Sequence, residues 1–457
     1  MIPDQTAPPT RQPMRKVMAA SLSGAALEWY DFNLYGISAA LVFNKIFFPD
    51  VDPAIGTLAA LATFGAGFVL RPIGALLFGH LGDRVGRKKS LVATMLIIGV
   101  ATCLIGLLPD YRQAGLWAPG LLVTLRLVQG VGLGGESAGA ALLTVEHAPR
   151  ARRGFWGSIP QVGGPLGYLI AVGVTSLFAL LPDDQFLSWG WRVPFLLSVV
   201  LTGAGVLVRR TIEETPDFAR VRQSGTREKM PLVAAVKKYP RTLALAFGAR
   251  IGEAASSQIY QPFAIAYVTT TMGYGKSAAL LGVVFYNVLC LLAIPFAGAL
   301  SDRIGRRPLY LAGAAFVILS AFPYFWFLDS HSTPLAWTAM TLAALGGAAG
   351  MSSVQATYFT ELFGPRVRYS ALGIASQASA LVAGFVPAIA TSLVVAAGGS
   401  WPLSVLLAVV GLVSLASAIL LKETRDRDVA EAEEQVPASE ARFSTPPPHA
   451  QEDGTRA

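Results

Sequence analysis

Apolar runs of roughly 20–30 residues recur twelve times along this chain, and no other feature restricts its fold as much. They cover 17–43, 55–82, 90–108, 116–147, 153–181, 191–209, 241–272, 277–300, 308–328, 334–362, 369–397 and 401–421. One helical crossing of a bilayer needs about 20 apolar residues. Backbone in lipid must satisfy its hydrogen bonds internally, so runs of this length predict an all-α membrane protein of twelve transmembrane helices. Only 14% of the residues are charged, against about 25% in an ordinary soluble domain. The start of the chain imitates a signal peptide, but its apolar run continues to Phe43 and carries two carboxylates, which predicts a retained first span. Cys103 and Cys290 are isolated, and His80, His147, His331 and His449 are scattered, so neither disulfide nor metal spacing is present. There is no nucleophile–base constellation either, which argues against an enzyme.

Charge sidedness orients the spans. Arg84, Arg87, Lys88 and Lys89, then Arg150, Arg152 and Arg153, then Arg209, Arg210, Arg220 and Arg222, then Arg303, Arg306 and Arg307, and finally Arg366 and Arg368, all fall in alternate connections. The other connections hold only Lys45, Arg112 and Lys276. Basic loops stay cytoplasmic, which places both termini inside. The net charge of +8 is then explained by a phospholipid surface and not by nucleic acid. "GHLGDRVGRKK" (79–89) after the second span and "GALSDRIGRRP" (298–308) after the eighth repeat one pattern. That repeat divides the chain into a cytoplasmic segment 1–16, a six-helix half 17–209, a linker 210–240, a second half 241–421 and a disordered cytoplasmic tail 422–457. Parallel halves of this kind enclose a midplane site and rock around it.

Several charges lie inside the spans. On a helix, spacings of three and four share a face, so Ser21, Gly24, Glu28, Asp31 and Tyr35 form a polar stripe opposite Leu22, Ala26, Ile37 and Leu41. Counted at about 1.5 Å per residue, Glu28, Asp31, Arg71, Glu136, Arg250 and Glu253 share a middle band, with Arg126 further out. Intramembrane charges pair or line wet cavities, which predicts a hydrated central cavity fed by spans 1, 2, 4 and 7. Glu28, Asp31 and Glu136 are the candidate proton carriers, because a carboxylate's proton affinity changes as water reaches it. Arg126 and Arg250 can each fork two hydrogen bonds to an anionic substrate. Glu253, Tyr35, Gln161, Gln258, Tyr260, Gln355 and Tyr358 complete the candidate substrate set. The alternative for each charge is a structural ion pair; for Arg71, ahead of Pro72, that is the preferred reading. Gly130, Gly132 and Gly135 fit a nucleotide-binding spacing, but no strand precedes them; small residues here let helices approach. "GYGKS" (273–277) lacks the first glycine of a phosphate loop, so no ATP motor is present and an ion gradient must drive transport.

The doubled loop motif resembles the signature of the major facilitator superfamily. "LEWYDFNLYG", "RLVQGVGLGGESAGA" (126–140), "WGWRVPFLLS" (189–198) and "TELFGPRVRYSALG" (360–373) resemble its metabolite:proton symporter family, and span seven is similar to the shikimate-type branch. Ser137 stands where many members carry Trp. The resemblance implies a monomeric multi-pass protein of the bacterial-type inner membrane that imports a small organic acid with protons by alternating access and needs no cofactor beyond the proton gradient. A zwitterionic osmolyte such as proline or betaine is the alternative cargo. The resemblance also implies a gate built from Asp83, Arg84 and Arg87, with Asp302, Arg303 and Arg306 as its second copy, Asp83 lying near a helix N-terminus. It links Arg126, in the R-x-x-Q-G motif, to proton coupling.

Overall fold

A computed structural model describes residues 14–50, 53–211, 231–365 and 367–426. The described residues form twelve long helical units, one per predicted span. They are α1 (Met14–Ser38, continuing to Phe47), α2 (Pro53–Val69 and Arg71–Arg84), α3 (Arg87–Gly106), α4 (Trp117–His147), α5 (Arg153–Phe178) and α6 (Arg192–Arg210). The second half holds α7 (Pro240–Gln258, continuing to Thr271), α8 (Lys276–Ile304), α9 (Arg306–Leu328), α10 (Thr333–Ala344 continuing to Ser353–Leu362), α11 (Arg368–Gly384 and Val386–Ala397) and α12 (Trp401–Leu420). Nine of the twelve are long and apolar enough to cross a membrane by length and composition among the described residues. The other three are α1, α4 and α7, whose hydropathy is lowered by Glu28 and Asp31, by Arg126 and Glu136, and by Arg250 and Glu253.

The two halves repeat one packing scheme. In the first, α1 packs on α5, α2 on α4 and α3 on α6; in the second, α7 packs on α11, α8 on α10 and α9 on α12. The halves meet along two seams, α2 against α11 and α5 against α8. Close approach depends on small residues: a Cβ on Gly167 would run into the backbone of α1 at Ala26 and Tyr30, and one on Gly130 would strike the Gly67 carbonyl. Gly132 is crowded in the same way by Ile98 and the Thr94 carbonyl, and Gly135 by the Phe78 side chain, which accounts for the glycines of the nucleotide-like spacing. Single π turns interrupt α1 at Ala39–Phe43, α7 at Ile259–Phe263 and Tyr267–Thr271, and α10 at Leu345–Ser352. Pro262 lies inside one of them and removes a backbone donor.

Two stretches expected as connector or tail carry structure. Residues Pro231–Lys238 of the linker form a short helix packed on α11 and α2, whereas 212–230 lie outside the described residues. After α12, residues 422–426 are held against α9; the remainder of the predicted tail, 427–457, is not among the described residues.

Candidate functional site

The carboxylate stripe of α1 is buried as a unit: Ser21 is 0% exposed, Glu28 7%, Asp31 3% and Tyr35 0%. Ser21, Asp31 and Tyr35 find their hydrogen-bond partners within the first half. Glu28 and Asp31 line a small cavity with Gly24, Leu27, Met95, Ile98, Glu136 and Thr202, drawn from α1, α3, α4 and α6. Arg250 and Glu253 are not among the residues lining this pocket. Hydroxyl groups of neighbouring helices hold the stripe. Ser198 Oγ on α6 donates to Asp31 Oδ1 at 2.6 Å, and Thr144 Oγ1 on α4 donates to Ser21 Oγ at 2.7 Å.

Glu136 has a strong fixed partner. Arg209, which the sequence placed among the loop cations, is 2% exposed and turns inward to form a two-pronged ion pair with Glu136. Its Nη1 also donates to the Leu91 carbonyl at 2.9 Å, and Thr94 Oγ1 donates to Glu136 Oε2 at 2.6 Å. Gly24 leaves room for the Arg209 guanidinium, which a Cβ there would displace.

The arginines of the first half sit among aromatic rings. The Arg126 guanidinium lies 4.3 Å from the Tyr35 ring centre, 4.9 Å from Phe64 and 5.2 Å from Phe32. Arg71 lies over the Phe68 ring at 4.3 Å and the Phe32 ring at 4.8 Å, so Phe32 is shared by both cations. Tyr35 is held through its hydroxyl by Thr63 at 2.6 Å. Arg126 is 0% exposed, makes no ion pair among the described residues, and its Nη2 has no hydrogen-bond partner. Nη1 donates to Gln129 Oε1 at 3.0 Å. Arg71 is within electrostatic reach of Glu28 and of Arg250 across the midline.

In the second half Arg250 donates to Gln355 Oε1 in a short hydrogen bond, and Glu253 stands beside the same two groups. Tyr260 and Tyr358, expected to offer hydroxyls to a substrate, are buried in that half's core, their rings packed 4.9 Å from Tyr324 and 5.9 Å from Tyr310. Neither hydroxyl has a hydrogen-bond partner among the described residues. Gln161 and Gln258 are half-buried on α5 and α7.

The loop motif builds two related latches at the basic end. Asp83 Oδ2 accepts from Ser370 N at 3.0 Å and Ser370 Oγ at 2.8 Å, at the N-terminus of α11. Asp302 accepts from Gly154 N at 2.7 Å and Phe155 N at 2.9 Å, at the N-terminus of α5. Each half thus places a carboxylate on a helix N-terminus of the other, where the helix dipole favours negative charge. Arg87 pairs with Glu146, which also takes Arg368 Nη1 at 2.8 Å from the opposite half. In the second copy Arg306 bonds Asp302 at 2.8 Å and approaches Glu361 at 3.6 Å, and Arg153 approaches Glu361 at 3.6 Å. Arg84 and Arg303 are exposed at the same end. One residue beyond the aspartate, about 100° around the helix, both point outward, Arg84 lying 3.4 Å from His80.

Glu146 and Glu361 were missed from sequence, yet a second repeat marks them: "EHAPRARR" (146–153) and "ELFGPRVR" (361–368) close the fourth and tenth spans. Glu423 was missed too. Beyond the last span, it accepts from Arg306 N at 3.0 Å and Arg307 N at 2.9 Å and so caps α9, while Thr424 Oγ1 donates to Glu361 Oε2 at 2.6 Å. Partial burial pushes the Glu423 pKa upward, but backbone N–H bonds from Arg306, Arg425, Arg307 and Thr424 together outweigh it and hold the carboxyl below the usual glutamate range. Its folded pKa is depressed, so its contribution is present above the ordinary glutamate pKa and lost as pH falls through the lowered value. Glu423→Gln is expected to cost about 0.5–1 kcal/mol at neutral pH. In thermal unfolding, the difference from wild type should vanish in acid.

Two six-helix halves, latched at one end and enclosing buried charges, define a membrane carrier. The sequence profile of the Major Facilitator Superfamily matches residues 17–349 and 246–448. The chain is 42% identical over 419 residues to the shikimate transporter of Escherichia coli K12, covering 90% of this chain and 95% of that protein. It is 34% identical over 424 residues to the proline/betaine transporter of the same strain, covering 91% and 84%. The solved structure of the proton:xylose symporter XylE bound to 6-bromo-6-deoxy-D-glucose overlays with a TM-score of 0.74 at 20% identity, covering 93% of this chain and 99% of that one. The inward open form of XylE gives 0.60 at 18% identity, covering 93% and 100%. The chain belongs to the major facilitator superfamily, among its metabolite:proton symporters, and is a multi-pass membrane transporter of a small molecule and not an enzyme.

Proposed function

We propose that this protein imports a small organic acid, with a shikimate-like carboxylate as the leading cargo, together with protons across a bacterial-type inner membrane. The observation that carries this reading is Arg126: a fully buried guanidinium with no acidic ion-pair partner among the described residues and Nη2 without a hydrogen bond. A buried charge is costly unless paired, and a carboxylate is the group a guanidinium forks best. Asp31 is the favoured proton site. Its carboxylate is met by the hydroxyls of Ser198 and Thr102, with Arg126 within electrostatic reach, whereas Glu136 is committed to Arg209. Protonation of Asp31 frees the positive field of Arg126 for the substrate anion, so proton and acid bind cooperatively.

The basic end, cytoplasmic by the charge rule, is closed by the latches, leaving substrate entry from the opposite side. Breaking both latches then opens the cytoplasmic path. No cofactor is needed beyond the proton gradient. A zwitterionic osmolyte is the second reading, supported by the proline/betaine relative. It is disfavoured because the faces of Phe32 and Phe68 are already covered by arginine, leaving less aromatic surface to cage a quaternary ammonium. The test is uptake into proteoliposomes under an imposed pH gradient. Saturable shikimate accumulation that betaine and proline fail to inhibit is expected; betaine uptake without shikimate uptake would reverse the assignment.

A further inference from the structure

We propose that Gln129 and Thr102 are positioning residues that transmit the protonation state of Asp31 to the Arg126 guanidinium. This rests on the reading of Asp31 as proton site and Arg126 as anion site. Arg126 Nη1 donates to Gln129 Oε1 at 3.0 Å, and Gln129 Nε2 donates to Thr102 Oγ1 at 2.6 Å. Arg126 and Thr102 are 0% exposed and Gln129 is 1% exposed, so no bulk water competes for these bonds.

Thr102 is where the chain branches. Its hydroxyl has one proton, given at present to the Ile98 carbonyl at 2.9 Å. The same hydroxyl stands within reach of the Asp31 carboxylate. Ionised Asp31 is the stronger acceptor, since a charge-assisted hydrogen bond is roughly twice as strong as a neutral one. With Asp31 ionised, the Thr102 proton turns to it. The bonds from Arg126 through Gln129 and Thr102 to Asp31 then run in one direction and reinforce one another. Arg126 is drawn toward Gln129. With Asp31 protonated, Thr102 returns to Ile98, the chain loses its anionic terminus, and Arg126 is released toward the substrate carboxylate.

The groups facing Asp31 permit this. α4 brings Arg126 and, across the small cavity, Glu136, which Arg209 of α6 pairs; α3 brings Thr102 and the Cys103 thiol, α6 also brings Ser198, and α1 itself brings Tyr30. Glu28, one turn away on α1, answers to Arg71 of α2. α5 packs on the other face of α1 through Gly163 and Gly167.

The test needs no substrate. Spin labels at the exposed positions Arg84 and Lys422, one in each half, report separation at the basic end in nanodiscs across a pH series. Wild type is expected to change its open-to-closed ratio by roughly 5–150-fold between acid and alkaline conditions, the usual span of a coupling between two sites, and Thr102→Val by less than about twofold. Asp31→Asn should be flat with pH, and Thr102→Ser, which restores the hydroxyl, should behave as wild type. A Thr102→Val profile that follows wild type overturns the relay, as does a wild type that ignores pH. Adding shikimate in a second series tests the cargo separately: an intact Thr102 effect without any shikimate response leaves the relay standing and removes the organic-acid reading.

Discussion

Arg126→Lys is expected to weaken organic-acid binding by roughly 30-fold or more, the equivalent of about 2–5 kcal/mol for truncating one side of a buried, hydrogen-bonded charge pair. The charge is retained, so a loss of this size isolates the forked geometry. Lysine is a compact point charge that cannot span Gln129 Oε1 and a carboxylate at once. It also gives up the flat guanidinium face over Tyr35, which lies 4.3 Å away. Arg71→Lys should weaken binding less, because Arg71 has Glu28 within electrostatic reach and its surroundings change less when a substrate arrives. Isothermal titration of both variants with shikimate checks the order. Equal losses would place the anion between the two arginines instead of on Arg126.

Glu146→Gln is expected to give the largest conformational effect. Glu146 holds Arg87 of its own half and Arg368 of the other, all three side chains no more than 1% exposed. Neutralising it removes the carboxylate that ties buried Arg368 to the other half, a loss of about 3–5 kcal/mol for that broken buried pair. That is close to the roughly 5.5 kcal/mol that takes a two-state equilibrium from 1:99 to 99:1. The basic end should therefore open in most molecules, read as faster alkylation of a cysteine placed at the α2–α11 seam. Asp83→Asn should open it less, since an amide oxygen can still accept from Ser370 N and Oγ. Glu361→Gln should also be milder, because Arg306 keeps Asp302 at 2.8 Å. If Glu146→Gln leaves alkylation unchanged, the latch does not govern the closed state.

Fold and family were legible in the sequence because they depend on patterns that survive without coordinates. Lipid demands long apolar helices, and the repeated D-R-x-G-R loop declares two related halves. The site was legible only in part. Periodicity along α1 correctly grouped Glu28 and Asp31 on one buried face, but it cannot say which neighbouring helix that face meets. The stripe meets α3, α4 and α6 of its own half in one small pocket. Positional counting also misled for Arg209. Near a span end it reads as a loop cation, yet a long guanidinium reaches back one or two turns to Glu136. Arg153 and Arg368, counted the same way, turn inward to the latches. The second repeat around Glu146 and Glu361 is harder to discern in the letters because its spacing slips by one residue between the halves.

The most direct test of the account is to separate exchange from accumulation in Asp31→Asn. Reconstituted protein is loaded with unlabelled shikimate for counterflow, and in parallel is given a pH gradient with no internal substrate. The account predicts that the variant still exchanges labelled shikimate, because Arg126 and its aromatic walls are intact, but no longer concentrates it, because the proton has nowhere to bind. Gradient-driven accumulation by Asp31→Asn at the wild-type level would contradict it.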